Sequence, residues 1–338
     1  MTAIHIPNAP DIPGLRFRTY EGEIDIPAMS RVMSAASGAN GNPEGFRSES
    51  ELRNELAHPS STDPRADLVL TFVGDELVAV SEATFEDANE GMRHYQSYCY
   101  IHPAWRDRGL GSALLPRMEA RLREIAAAHE QPAPPLLVTW TDEPEPAARA
   151  LVEAHGYRMA RQYHLMVRPD LDAIDAPAPP PGIDIRPVSR DELPRVWDAM
   201  AEAFKDHFGA MDTSQASFQR WISSPRMDPD GMICAFDGDE VAAGVQAAVT
   251  PGENEEHGYL RGWTDPVFTR RAWRRRGLAY ACLGRALQVL RDWGMTSAQL
   301  GVDTENPNQA LTLYEKHRFG STMTEYEWHK PLVTEIDA

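Results

Sequence analysis

Two short segments of this chain combine cationic side chains with the backbone freedom needed to grip an anion: Arg106-Asp107-Arg108-Gly109-Leu110-Gly111 and Arg274-Arg275-Arg276-Gly277-Leu278-Ala279. Both follow the pattern Arg-x-x-Gly-x-Gly/Ala, and each comes directly after a tryptophan, Trp105 or Trp273. A pyrophosphate is well held by the unpaired N–H groups at a helix start, where the helix dipole is positive. Glycine and alanine let the backbone approach such a ligand without a side chain in the way.

The flanking residues supply that geometry. Tyr98-Cys99-Tyr100-Ile101-His102-Pro103 and Trp263-Thr264-Asp265-Pro266-Val267-Phe268-Thr269 read as strands leading into the loops. Behind the loops, Leu110, Leu114, Met118, Leu122 and Ile125 recur at helical spacing, as do Ala279, Cys282, Leu283, Ala286, Leu290 and Trp293. Each loop therefore joins a strand to an amphipathic helix. The competing reading is a tight strand-to-helix turn with solvated arginines.

In this respect the chain resembles the GNAT superfamily of N-acetyltransferases, whose cofactor loop has the pattern Gln/Arg-x-x-Gly-x-Gly/Ala between a strand and a helix. The likeness extends through Glu305-Asn306-Pro307-Asn308-Gln309-Ala310-Leu311-Thr312-Leu313-Tyr314-Glu315-Lys316-His317-Arg318-Phe319, similar to the family's Asn-Pro…Leu-Tyr-Glu…Gly-Phe stretch. Arg318 stands where the family usually has glycine, so a different turn is expected after that helix. The resemblance implies acetyl-coenzyme A as cosubstrate. Main-chain groups of Val267, Phe268 and Thr269 would then hold the pantetheine arm and thioester. Residues Arg274, Arg275, Arg276, Gly277, Leu278 and Ala279 would take the pyrophosphate, with Asn306 nearby. Ile101, Arg106, Arg108, Gly109 and Gly111 occupy the equivalent places in the first copy.

The resemblance also puts Tyr314 beside the coenzyme A sulfur. A phenol near pKa 10 protonating a thiolate near 8.5 is uphill by about 1.5 units, roughly 2 kcal/mol, so hydrogen bonding to the developing thiolate competes with full proton transfer. Aligning Ala148–Tyr157 with Ala310–Phe319 puts Leu151 or Val152 opposite Tyr314, so the first copy lacks the phenol. Deprotonating an alkyl amine at pH 7 costs about 3.4 units, roughly 4.6 kcal/mol, against about 1 unit for an α-amine. A base or water relay is needed, and Asp265 is the first candidate, ahead of Glu255 and Glu256. His207 and Phe208 lie where the family's early helices line the acceptor pocket. Glu23, Glu82 and Asp87 carry no stronger signal than an ordinary surface carboxylate.

Further self-similarity marks a duplication. Gly14–Arg18 resembles Gly182–Arg186, Gly74–Ala79 resembles Gly238–Ala243, and Ala104–Arg106 resembles Ala272–Arg274, at a near-constant shift. Asp175-Ala176-Pro177-Ala178-Pro179-Pro180-Pro181-Gly182 cannot form helix or central strand and reads as an extended linker. The expected organisation is an α+β (mixed α/β) fold of two tandem GNAT-like lobes, each a splayed central sheet flanked by helices. The lobes are 1–170, not expected to catalyse, and 183–338, expected to be catalytic, with 171–182 linking them.

A chain of 338 residues with 42% hydrophobic content can bury two cores. Its formal charge of −18 disfavours nucleic acid and anionic membrane as partners and favours a cationic acceptor. No apolar run is long enough to span a bilayer, and the N-terminus lacks signal-peptide features, so cytoplasmic residence is the expectation. Cys99, Cys234 and Cys282 read as reduced core thiols, and no Cys-x-x-Cys or His-x-x-x-His spacing points to a metal. These readings converge on acetyl transfer to a small-molecule or peptide amine in the second lobe, with oligomeric state open. An acyl-coenzyme A sensor or scaffold without turnover is the alternative. A tandem transferase dependent on aminoacyl-tRNA is remote, since the acidic field repels tRNA.

Overall fold

The computed structural model describes residues 3–89, 91–130, 135–209, 211–306 and 310–332. In chain order the strands are β1 (Ala3–Ile4), β2 (Leu15–Thr19), β3 (Leu68–Val73), β4 (Glu76–Asp87), β5 (Arg93–Ile101), β6 (Leu136–Asp142), β7 (Arg158–Arg168), β8 (Ile183–Pro187), β9 (Met232–Asp237), β10 (Glu240–Ala248), β11 (Arg261–Thr269), β12 (Ser297–Asp303) and β13 (Gly320–Pro331). The helices are α1 (Ile26–Asn40), α2 (Glu49–Ala57), α3 (Pro64–Asp67), α4 (Leu110–Ala127), α5 (Pro146–Ala154), α6 (Leu193–Phe204), α7 (Gln215–Ile222), α8 (Pro251–His257), α9 (Leu278–Asp292) and α10 (Ala310–Lys316).

Contacts divide the chain into two compact units, Met1–Gln162 with Glu325–Ala338, and Tyr163–Thr324. This is not the cut that the proline-rich segment marks. Unit membership follows the hydrogen-bonded ladders: Glu325–Pro331 of β13 pair with β6, and Tyr163–Arg168 of β7 pair with β12. The 171–182 segment has no helix or strand, as its prolines dictate, yet it is packed rather than free within unit 2. Leu171 is buried in the core, and Tyr280 Oη donates to Asp175 at 2.8 Å. Gly284 on α9 permits this approach, since a Cβ there would lie 2.3 Å from the Asp175 carbonyl oxygen.

In unit 2 the order is β7-β12-β11-β10-β9-β8. Side-chain alternation explains the layers. On β9, Ile233 and Ala235 pack with Leu278, Cys282, Leu283 and Leu290 of α9. The intervening Met232, Cys234 and Phe236 pack with Val196, Trp197 and Met200 of α6. Parallel pairing of β11 with β12 spans only Arg261–Trp263 against Ser297–Gln299, and from there to Thr269 the two strands part.

Unit 1 repeats the plan as β1-β2-β3-β4-β5-β6-β13. Here β5 and β6 pair in parallel only over His94–Ser97 and Leu136–Thr139. Helix α4 lies on one face with Val78, Tyr95 and Leu137, and α1 on the other with Leu70 and Val80. The α+β fold with a splayed sheet in each copy is therefore as expected.

Candidate active site

Where β11 leaves β12, unit 2 contains a cavity of about 470 Å³. One wall is Val267, Phe268 and Thr269 of β11. The far end is the loop and helix start at Arg274, Arg275, Gly277, Leu278 and Ala279, and Ala203, Phe204 and His207 close another side. Asn306, Leu313 and Tyr314 also line it, with Trp273, Tyr280 and Ala310. Pro307, Asn308 and Gln309 of the Asn-Pro segment lie outside the described residues.

Local backbone chemistry builds the loop. Arg275 (φ 64°) and Gly277 (φ 78°) are left-handed, and Asp107 (φ 58°) and Gly109 (φ 83°) repeat this in unit 1. Gly277 is the N-cap of α9, with no side chain capping the first turn. The leading N–H groups of α9 thus have no partner within the helix. A Cβ on Gly277 would meet nothing within 4 Å, so the approach to the helix start is open. Gly244 of β10 serves the neighbouring wall, since a Cβ there would sit 2.5 Å from the Phe268 ring.

The first arginine of each loop serves a structural purpose that spacing did not reveal. Arg274 donates from Nε to Thr269 O at 3.1 Å and from Nη2 to Ala203 O at 3.4 Å, and its Nη1 lies 2.6 Å from Asp206. Arg106 donates likewise to Ile101 O (3.3 Å) and Ala36 O (3.3 Å), and to Asn40 Oδ1 (2.8 Å). Each guanidinium clamps the end of the central strand to the C-terminal part of α1 or α6. Arg271 and Arg274 hold the Asp206 carboxyl well below its usual range by hydrogen bonding and charge. Arg275 and Arg276 are exposed, and Arg276 does not line the cavity. Arg108 stacks over Trp105 at 4.6 Å.

Tyr314 on α10 is buried, with 6% of its surface exposed. Its ring packs edge-on against Phe319, centroids 6.2 Å apart. Burial pushes its pKa well above 10, and the charge of Asp265 adds to this, so the phenol stays protonated. Asp265 does not line the cavity. Its side chain keeps 39% of its surface, but Oδ1 is buried without a hydrogen bond, 3.7 Å from Arg226 Nη2. Burial raises its pKa above the ordinary carboxylate value, and Arg226 opposes this. Arg226 itself sits over the Trp263 ring at 5.1 Å. Burial lowers the pKa of His207, which stacks on Phe204 at 4.5 Å. Phe208 is half-buried outside the lining, and Glu255 and Glu256 are exposed on α8. None of the three cysteines lines the cavity; burial pushes Cys282 up to about 12 and Cys234 well above its ordinary value.

Comparing the two copies settles the register that sequence left between Leu151 and Val152. Tyr157 N donates to Val152 O (3.1 Å) as Phe319 N donates to Tyr314 O (3.0 Å), so Val152 is the counterpart of Tyr314. The matching clamps of Arg106 and Arg274 likewise pair Ala36 with Ala203 and hence Asn40 with His207. Asn40 and Asn42 both donate to Asp142, at 2.6 and 2.7 Å. Burial lifts the Asp142 pKa to about 6, with Glu145 adding to the effect. Asp142 ends β6 as Asp303 ends β12, and the Asp303 charge acts on His207. Asp303 and Arg226 were missed in the sequence; the repeat alignment carried a signal for Asp303, and nothing did for Arg226. The first loop also differs in its surroundings, because Pro10 Cβ would lie 3.5 Å from a Cβ on Gly109. The turn after α10 does not change as expected: Arg318 takes the left-handed conformation (φ 66°) that Gly156 takes in unit 1 (φ 85°), and pairs with Asp170 at 3.0 Å.

The site thus joins a sheet splayed beside an uncapped helix start, a cavity in the opening and a protonated phenol in its wall. The chain matches the acetyltransferase (GNAT) family over residues 32–157 and again over 195–319, and it belongs to that family. It is an acyltransferase of tandem architecture, and the donors of its class are acetyl- or other acyl-coenzyme A. It is 28% identical over 315 residues to the mycothiol acetyltransferase of Geodermatophilus obscurus, covering 90% of this chain and 94% of that one. Against the mycothiol acetyltransferase of Clavibacter sepedonicus the identity is 27% over 336 residues, covering 96% and 94%. A GCN5-related N-acetyltransferase structure from Sphaerobacter thermophilus superposes with a TM-score of 0.71 at 25% identity, covering 99% of both chains. A tandem GNAT protein from the clavulanic acid biosynthesis pathway superposes with a TM-score of 0.66 at 17% identity, covering 95% and 99%. No helix among the described residues is long and apolar enough to cross a membrane.

Proposed function

We propose that unit 2 transfers acetyl from acetyl-coenzyme A to a primary amine on a small molecule by direct attack. The observation that carries this reading is the joint presence, in one cavity, of the Tyr314 phenol, the parted edge of β11 and the uncapped start of α9. The N–H groups of the α9 first turn hold the pyrophosphate, and β11 positions the thioester. The neutral amine attacks the thioester carbon, and its nitrogen forms the new C–N bond as the C–S bond breaks. Tyr314 donates a hydrogen bond to the departing thiolate, and the ammonium proton leaves through water to Asp265, which lies outside the cavity lining. A carboxyl with a raised pKa suits that task better than an ordinary surface aspartate.

Unit 1 is assigned a non-catalytic role, because Val152 replaces the phenol and Pro10 lies over the glycine of its loop. The relatives named mycothiol acetyltransferase favour a small-molecule amine, and the net charge of −18 suits a cationic one. Coenzyme A release should be measured with a panel comprising a cysteinyl amine, a polyamine, an aminoglycoside and a peptide N-terminus. Turnover with at least one amine, abolished by Gly277→Glu, supports the proposal. Tight acetyl-coenzyme A binding without turnover across the panel favours the sensor reading instead.

A further inference from the structure

Sequence spacing offered no metal motif, yet three donors from two distant segments meet in unit 1. His94 stands on β5 opposite Leu136 of β6, while Glu327 and His329 stand on β13 opposite Trp140 and Val138 of the same strand. Side chains two apart along a strand share a face, and in-register partners share it too. His94, Glu327 and His329 therefore project from one face, on either side of β6. One donor atom from each lies within 4.8 Å of the others. Glu327 Oε1 and His329 Nε2 are 2.6 Å apart, and the two imidazole rings are 5.2 Å apart at 63°. Glu86 Oε1 lies 3.6 Å from His94 Nδ1, beside this group of three.

We propose that His94, Glu327 and His329 form a binding site for a transition-metal dication of the zinc class, with Glu86 or water as the fourth ligand. Two imidazoles and a carboxylate match the borderline donor preference of Zn²⁺, whereas Mg²⁺ and Ca²⁺ take oxygen donors. Bond lengths of about 2.0–2.2 Å around a tetrahedral ion set donors roughly 3.4 Å apart, so the Glu327–His329 pair opens from 2.6 Å while the wider separations, within 4.8 Å, close, both by side-chain rotation. Burial strengthens the argument. His94 is 1% and Glu327 2% exposed, so the donors are held in fixed positions by packing rather than spread on a mobile surface. His329 retains 16% of its side-chain surface and Glu86 31%, leaving the ion a way in from solvent. The bound ion would fasten the last strand to β5 across β6, stabilising unit 1 independently of acyl transfer in unit 2.

The test uses the full chain, stripped with chelator and titrated with Zn²⁺ by calorimetry, and with Co²⁺ by visible absorption. The expected result is one Zn²⁺ per chain, ligand-field bands of tetrahedral Co²⁺, and a thermal midpoint that rises with Zn²⁺. Altering even outer-shell partners of a metal site costs about 10–100-fold in affinity. Loss of a ligand in His94→Gln or His329→Gln should therefore weaken binding by about a hundredfold or more. His5→Gln, at an exposed position, should change nothing. The amide of His329→Gln can still hydrogen-bond Glu327, so that variant carries the test if His94→Gln does not fold. Absence of stoichiometric Zn²⁺ binding by the folded parent, or binding that survives His329→Gln unchanged, overturns the proposal.

Discussion

Replacing Tyr314 by phenylalanine isolates the hydroxyl from the packing. The residue is 6% exposed, its ring packs against Phe319 and forms part of the cavity wall, and phenylalanine retains all of this. Stability should change by less than about 1 kcal/mol. Burial and the Asp265 charge both raise the phenol pKa, so at any working pH the parent presents an O–H donor to the cavity. The ground-state thioester sulfur is a weak acceptor, whereas the departing thiolate is charged. The hydrogen bond is thus made mainly in the transition state, where such a donor contributes about 1.5–4 kcal/mol. At about 1.4 kcal/mol per decade, kcat should fall roughly ten- to a thousandfold while acetyl-coenzyme A affinity stays within about twofold. Steady-state coenzyme A release, paired with calorimetric titration of acetyl-coenzyme A, measures both quantities. Equal kcat in the folded variant and the parent would remove Tyr314 from the mechanism.

Gly277→Glu sets a carboxylate and a strained left-handed residue at the open start of α9, and calorimetry should register more than about tenfold weaker acetyl-coenzyme A binding. Gly109→Glu, checked for folding by circular dichroism, should spare most turnover; loss of activity from this variant alone would show that the wrong unit was assigned catalysis. Asp265 must be ionised to act as a base, so its raised pKa should set an acidic limb in kcat/KM above the ordinary carboxylate range, and Asp265→Asn should abolish that limb. The same shift has a stability consequence of defined sign: the folded state holds this proton more tightly than the unfolded chain, so the stabilisation is present at low pH and lost as pH rises through the folded pKa. Asp265→Asn should accordingly match or exceed the parent in thermal midpoint at pH 8. Arg318→Gly relieves a left-handed backbone worth about 1 kcal/mol against loss of a half-exposed ion pair worth less, and a small rise in thermal midpoint is expected. A fall of several degrees would show that the Asp170 pairing outweighs the backbone term.

Much of the frame was legible in the sequence because it depends on local chemistry. The strand, loop and helix at 263–293 follow from β-branched and aromatic residues, one glycine that must be left-handed, and apolar residues at helical spacing. The duplication was likewise visible, since it is a property of residue order. Proline content predicted that 171–182 would lack regular structure, but not that Leu171 and Asp175 would pack onto α9.

What the tertiary structure alone decided concerns groups that are distant in the chain or that compete for one partner. Arginine at the head of each loop reads as a phosphate ligand by charge, and Arg106 and Arg274 also bond carbonyls of the strand ends and of α1 and α6. A guanidinium donates wherever folding brings acceptors, and no local pattern encodes which acceptors those are. Val152 was fixed as the counterpart of Tyr314 by the hydrogen bonds of the following turn, which a one-residue ambiguity in alignment could not resolve. Asp265 of β11 met Arg226 of the turn after α7, and His94 met Glu327 and His329 across β6, only because folding brings segments far apart in sequence together. Sequence determined the elements and their repetition through short-range sterics and periodicity. The partners of each charged side chain, and hence the pKa values and the donor cluster, were set by long-range strand pairing and burial.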